Sequence, residues 1–137
     1  MGSCNPGLKH VRELVVSEQD TSIALGSGDV PVVGTPALLA LAESACVQAI
    51  DGELADAETT VGTWAEIEHV TPVAVGGRVC ARATLIGHHG RRLEFNVTIE
   101  HGDTVVAKVR HRRVLVDRMQ FLDRLDADRD ITGAATR

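Results

Sequence analysis

The chain has 137 residues, 44% of them apolar and 24% charged, with a formal net charge of -5. That length and balance describe one soluble globular domain able to bury its own core. The acidic balance, together with one Trp, two Phe and no Tyr, argues against nucleic acid as a partner, because backbone-tracking grooves need net positive charge and stacking platforms need rings.

In chain order, Leu8 to Val16 alternates well enough for a strand. Ser17 to Gly34 is rich in Gly, Ser and Asp and reads as a loop with room for a short helical turn. The stretch GTPALLALAESACVQAI, Gly34 to Ile50, is a helix. Thr35 suits its N-cap, Pro36 its first helical position, and Asp51-Gly52 its stop. Beyond Gly52 the period changes to two. Strands are expected at Val61 to Val70, Arg78 to Ile86, Arg91 to Glu100 and Thr104 to Val116, with turns at His88 to Gly90 and His101 to Asp103. The last three, joined by short turns, form an antiparallel meander. The core is expected over residues 8–116, and residues 117–137 form a charged tail with a short helical piece that then frays.

One strand, one long apolar helix and four further strands define an α+β domain. The sheet buries its apolar face best by curling around the helix, the architecture known as the hotdog fold. Domains of this kind commonly pair their sheets edge to edge, so a homodimer is the default expectation.

Within the helix, Ser44, Gln48 and Asp51 cluster on one narrow face, and Ala42, Cys46 and Ala49 lie opposite. Glu43 falls between Leu39, Val47 and Ile50, at the edge of the buried stripe. It is either a glutamate that reaches back to water or a carboxylate lining a cleft. In VGTWAEIEHV, Glu66 and Glu68 share one face, which leaves Ala65, Ile67 and His69 on the other. A histidine and a glutamate that both interrupt apolar faces expected to pack together can supply acid–base chemistry, so His69 is the candidate partner of Glu43.

The residues resemble the fluoroacetyl-CoA thioesterase family of hotdog proteins from about Thr35 to Val116. The resemblance rests on the Thr at the helix start, the Glu eight residues later inside E-x-A-C-V-x-A, the G-T-x5-H strand, GRRLEFNVTIEHG and HRRVLV. It implies an acyl-CoA or other acyl thioester substrate, with Thr35, Glu43 and His69 as the catalytic constellation and Gly62 at the substrate carbonyl. Glu43 would attack the carbonyl directly or act as base on a water. His69 would hydrogen-bond that carboxylate, activate water or protonate the leaving thiolate, and Thr35 would orient Glu43 or touch the substrate. Basic residues of the later strands, in Arg91-Arg92 and Arg110-His111-Arg112-Arg113, are candidates for coenzyme A phosphates as well as plain solvated strand ends. Upstream of the helix the chain reads ALGSGDVPVVGT, without the aromatic side chains that relatives selective for a small fluorinated acyl group carry, so the fluoroacyl preference does not carry over.

Other groups read more plainly. Cys46 lies on the most buried helical face and is a core thiol rather than a nucleophile. His88 and His89 suit an exposed hairpin end, and His111 suits a structural partner near the active site. No HExxH or CxxC occurs, so neither metal nor cofactor is expected. An odd count of three cysteines fits a reduced, cytoplasmic protein. No apolar run is long enough for a membrane helix, no secretory signal is visible, and MGSCNP fails as a myristoylation start because its sixth residue is Pro6. The competing function classes are a non-catalytic acyl-CoA or small-ligand binding protein on the same fold and, less favoured, a hydratase.

Overall fold

The computed structural model describes residues 4–132, with side chains through Arg129. Strand β1 (Lys9–Val15) is followed by a 3-10 turn (Glu18–Asp20) and the one-turn helix α1 (Ser22–Leu25). Then come the central helix α2 (Thr35–Ile50), a 3-10 turn at Asp51–Glu53, and the strands β2 (Glu58–His69), β3 (Arg78–His89), β4 (Arg92–His101) and β5 (Thr104–Asp117). A final helix, α3 (Arg118–Thr132), replaces the short helical piece expected in the tail; the expected fraying beyond it lies outside the described residues.

The five strands form one antiparallel sheet in the order β1-β3-β4-β5-β2. The meander of β3, β4 and β5 is the one expected. β2 crosses over to the far side of β5 and becomes an edge. The β3–β4 turn comes later than expected. His88 and His89 stay in β3, where the His88 Nδ1–H donates to the Cys4 carbonyl at 2.9 Å, and the chain reverses at Gly90, whose φ of 62° suits a residue without Cβ.

Helix α2 lies across the sheet and touches all five strands, chiefly β1 and β3. Its buried face is Leu38, Leu41, Ala42, Ala45, Cys46, Ala49 and Ile50. Small residues at Ala42, Ala45, Cys46 and Ala49 let the helix sit close to the strands. Against them pack Val79, Ala81, Ala83 and Leu85 of β3 and Leu93, Phe95, Val97 and Ile99 of β4, the alternating positions that the period of two marks out. With so few rings, this core gains its stability from aliphatic area, at about 1.5–3 kcal/mol for each large side chain fully buried. Burial also pushes the Cys46 thiol up to about 12, so it stays a protonated core group.

One row of α2 is left half-covered: Leu39, Glu43 and the exposed Val47, each four residues apart. Beside it the edge strand β2 is exposed from Gly62 through Glu66.

Candidate active site

The N-cap of α2 is Gly34, in extended conformation, and Thr35 is already the first helical residue. This corrects the expectation of a capping threonine. Pro36 fits the first turn either way, because the missing N–H there has no intrahelical acceptor. The shift by one residue frees the Thr35 hydroxyl, which lies 2.9 Å from His69 Nδ1. The other ring nitrogen, Nε2, lies 3.0 Å from the Thr71 carbonyl. A carbonyl only accepts, so in the neutral ring Nε2 carries the proton and Nδ1 accepts from Thr35. A hydroxyl, an imidazole that can take its proton, and a fixed acceptor behind that imidazole form a nucleophile–base–orienter sequence. A small pocket of about 220 Å³ opens at His69, Thr71 and Pro72.

Glu43 belongs to a different cluster. Its Oε2 lies 3.4 Å from His111 Nε2 and 3.7 Å from Arg113 Nη1, and its side chain is 39% exposed. His111 and Arg113 alternate along the inner face of β5 and are 2% and 8% exposed. Arg113 is anchored by β2: Nε donates to Thr60 Oγ1 at 2.8 Å and Nη2 to the Thr60 carbonyl at 3.1 Å. Its Nη1 donates to His111 Nε2 at 3.1 Å. On its far side, His111 Nδ1–H donates to the Trp64 carbonyl at 2.8 Å, and the ring packs against Phe95. The β2–β5 register slips between Gly62 and Trp64, leaving Thr63 as an extra residue, and such a bulge re-aims the backbone next to it.

These bonds fix the state of His111. Nδ1 faces an acceptor and Nε2 faces an obligate donor, so the ring is the neutral Nδ1–H tautomer. Burial pushes its pKa below the ordinary histidine value. The Trp64 carbonyl and Glu43 pull the other way, and the Arg113 charge adds to the lowering. Burial also lowers Arg113, opposed by Glu43, but a guanidinium remains a cation at any physiological pH. Arg113 is therefore the positive charge that faces the Glu43 carboxylate.

Gly62 pairs with Arg113 across the two strands. A Cβ there would sit 2.9 Å from Glu43 Oε2, 3.1 Å from His111 Cε1 and 3.3 Å from Arg113 Nη1. The carboxylate rests against bare β2 backbone because position 62 has no side chain. Next to this cluster a charged pocket of about 380 Å³ runs past the C-terminal end of α2, where Val47, Ile50 and Leu54 share the lining with Asp51, Asp56, Glu58, Arg113 and Arg118. A larger groove, about 730 Å³, crosses the outer sheet face between Glu66 and Arg110 and contains none of these groups.

The chain thus brings together Thr35 with His69, and Glu43 with Gly62. No hydrogen bond or ion pair joins Glu43 to His69. Thr35 and Glu43 are eight residues apart on one helix, about 12 Å along its axis. Thr60 was not foreseen from sequence as a site residue, and Arg113, expected as a coenzyme A phosphate contact or a solvated strand end, is instead buried beside Glu43. The signal for Arg113 was present, since it occupies the same period-two face as Val109, His111 and Leu115. Among the described residues no group of three or more His, Cys, Asp or Glu is placed to hold a metal. No helix among them is long and apolar enough to cross a membrane.

Comparison with known proteins bears on the family and the fold. The family model described as fluoroacetyl-CoA-specific thioesterase matches residues 16–119. Among solved structures, the chain is similar to a phenylalanine-to-alanine mutant of the fluoroacetyl-CoA-specific thioesterase FlK, at TM-score 0.86 and 23% identity over 93% of this chain and 99% of that one. A complex of that mutant with fluoroacetate and CoA matches at TM-score 0.79 and 26% identity, covering 85% and 98%. A hypothetical protein of Thermus thermophilus, a thioesterase superfamily member, matches at TM-score 0.84 and 21% identity, covering 96% and 99%. No protein of curated function matches the chain.

Proposed function

The chain belongs to the fluoroacetyl-CoA-specific thioesterase family and is a thioester hydrolase, and from that membership we propose that it cleaves acyl-CoA carrying a small or medium acyl group. The observation that carries the reading is the Glu43 carboxylate, half-buried against bare backbone at Gly62 with the Arg113 cation 3.7 Å away. Thr35, Glu43 and His69 are the proposed catalytic residues, and Gly62 lines the substrate carbonyl.

Two routes use the carboxylate. In one, Glu43 attacks the thioester carbon: a C–O bond forms, the C–S bond breaks, the thiolate leaves and is protonated, and water cleaves the acyl anhydride. In the other, Glu43 takes a proton from a water that attacks directly. Single turnover in oxygen-18 water tests for the first route: label in the Glu43 side chain arises only when water opens an anhydride at the Glu43 carboxyl carbon, whereas label in the product acid alone fits either route. In the dimer proposed below, the N-terminus of the neighbouring copy's α2, and not that of Glu43's own helix, offers its positive end to the developing oxyanion.

The acyl preference is proposed to be broader than fluoroacetyl. The segment leading to α2 carries exposed Ile23, Leu25 and Val30 and no ring to close over a small acyl group. Free-thiol release from a panel of short, medium, aromatic and halogenated acyl-CoAs tests this directly. Turnover across several short and medium chains is expected. Binding without turnover of any thioester would sink the hydrolytic assignment to these substrates.

A homodimer is part of the proposal. The edge of β2 and the half-covered row of α2 adjoin one another, and an open edge strand invites pairing with another copy. If two β2 strands pair antiparallel about a two-fold axis between Ala65 and Glu66, Gly62 of one copy lies opposite His69 of the other. The Glu43 cluster of one chain would then face the Thr35–His69 pair of its neighbour, which reunites the three residues. Mixing inactive Glu43→Gln with inactive His69→Ala protein should restore activity. Half of the randomly mixed dimers would be hybrids with one intact site each, giving about a quarter of the wild-type sites. No recovery, with hybrid dimers demonstrated, would place all three residues in one chain's own site.

Thr35 provides a finer test. Thr35→Val keeps the shape but loses the donor to His69, and turnover is expected to fall by about 10–100-fold. Thr35→Ser keeps the hydroxyl and should stay within a few-fold of wild type. Since Gly34 is the N-cap, neither change should alter thermal stability much, so steady-state kinetics beside a melting curve separate chemistry from folding.

A further inference from the structure

We propose that Arg113, locked to Thr60 and bonded to His111, is a positioning residue that keeps the Glu43 carboxylate in its working place and keeps the His111 proton off Nε2. The inference rests on the reading that Glu43 performs the chemistry.

The argument begins with cost. A guanidinium 8% exposed in an aliphatic core is expensive to desolvate and is retained only with partners. A structural salt bridge would pair it closely with a carboxylate. Here the geometry is different: the well-formed bonds go to neutral acceptors, Thr60 Oγ1, the Thr60 carbonyl and His111 Nε2, at 2.8, 3.1 and 3.1 Å. The carboxylate of Glu43 stands off at 3.7 Å from Nη1. The cation is held by the scaffold and not by Glu43. Its field reaches the carboxylate while both carboxylate oxygens stay outside any short bond to it, which leaves their lone pairs for substrate or water.

His111 completes the device. Protonated at Nε2, it would donate to Glu43 Oε2 across 3.4 Å and tie up that oxygen in a charge-assisted bond. Arg113 prevents this by occupying the Nε2 lone pair with its own N–H. The groups facing His111 are Glu43 on α2, Arg113 on β5, the Trp64 carbonyl on β2 and the Phe95 ring on β4. The Cys46 thiol lies close enough to Arg113 and Glu43 to feel both charges, and its proton stays on. Of these, Arg113 is the fixed positive charge that opposes a second one on His111.

The test is Arg113→Met, with Arg113→Lys as the conservative variant. Each is assayed for kcat and KM on the best acyl-CoA and by nitrogen-15 spectra of the histidine side chains without substrate. For Arg113→Met we expect kcat to fall by about 10²-fold, the loss typical of a misplaced reacting group, with KM within about threefold. Followed across a pH series, protonation of His111 Nε2 should set in at higher pH in Arg113→Met than in wild type, because the opposing charge is gone while the burial remains. Arg113→Lys should recover part of kcat, since the charge returns without the fork that holds Thr60. If Arg113→Met does not fold, Thr60→Ala takes its place: it removes the Nε acceptor and should move kcat and the His111 signal in the same direction by less. Unchanged kcat, or an unchanged His111 Nε2 signal in a folded variant, overturns the proposal. A wild type without turnover, or a Glu43→Gln protein that keeps it, overturns instead the reading on which the proposal rests, and the nitrogen spectra remain readable in that case.

Discussion

Replacing Glu43 by Gln should reduce thiol release from acyl-CoA by about 10²–10⁴-fold while leaving the fold intact, the range expected when a general base or nucleophile is removed. The two side chains have nearly the same shape, so the packing of α2 against β2 and β5 is kept. What changes is that an amide neither attacks a thioester carbon nor accepts a proton from water near neutral pH. The cost to stability should be small. The side chain is already 39% exposed, and Arg113 keeps its three bonds to Thr60 and His111 without Glu43. A melting curve close to wild type beside a collapsed rate would place Glu43 in the chemistry. A retained rate would leave Glu43 a half-buried polar residue at the helix edge, and the reaction would have to be carried by Thr35 and His69 alone.

How far the sequence reveals this site depends on which kind of information each part needs. Periodicity is local, and it marks out α2, Thr35–Ile50, to within one residue at its start, and the inward faces of β3 and β4. It also shows that Glu43 borders a buried stripe and that His69 leaves the wet face of β2. The lateral order of strands is not local. β5 lies between β4 and β2, so the residues that reach Glu43 across the sheet are His111 and Arg113 of β5, whereas His69 is carried to the N-terminal end of α2 and meets Thr35. A one-residue error at a helix start has a similar origin. Thr and Gly both occur at N-caps, and only the extended backbone of Gly34 decides which one serves. That detail matters chemically, because a capping threonine would spend its oxygen on the helix and this one spends its hydroxyl on a histidine. Arg113 shows the converse: its inward position follows from alternation, but only the Thr60 anchor explains why a buried cation is tolerated there.

Gly62→Ala is the change that should separate activity from stability most cleanly. It adds one methyl group at the point where the Glu43 carboxylate lies against β2. The backbone at Gly62 is not among the glycines with positive φ, so alanine adopts the strand conformation without strain. The conflict is with side chains: the new Cβ would stand 2.9 Å from Glu43 Oε2, closer than carbon and oxygen tolerate, and 3.1 Å from His111 Cε1. Arg113 and His111 are pinned by Thr60 and the Trp64 carbonyl, but the end of the Glu43 side chain faces partly open space, so Glu43 is the group that yields. Its displacement relieves the clash at little cost to folding and moves the reacting oxygen by the order of an ångström, for which a loss of about 10²-fold in kcat/KM is expected. Gly52→Ala is the matched control, since a Cβ there meets nothing within 4 Å and its activity should be that of wild type. A Gly62→Ala protein that melts like wild type and turns over poorly would mean that the carboxylate must act from above Gly62. Wild-type kcat/KM would mean that Glu43 works from some other position, and the cradle formed by Gly62, His111 and Arg113 would then describe only its resting place.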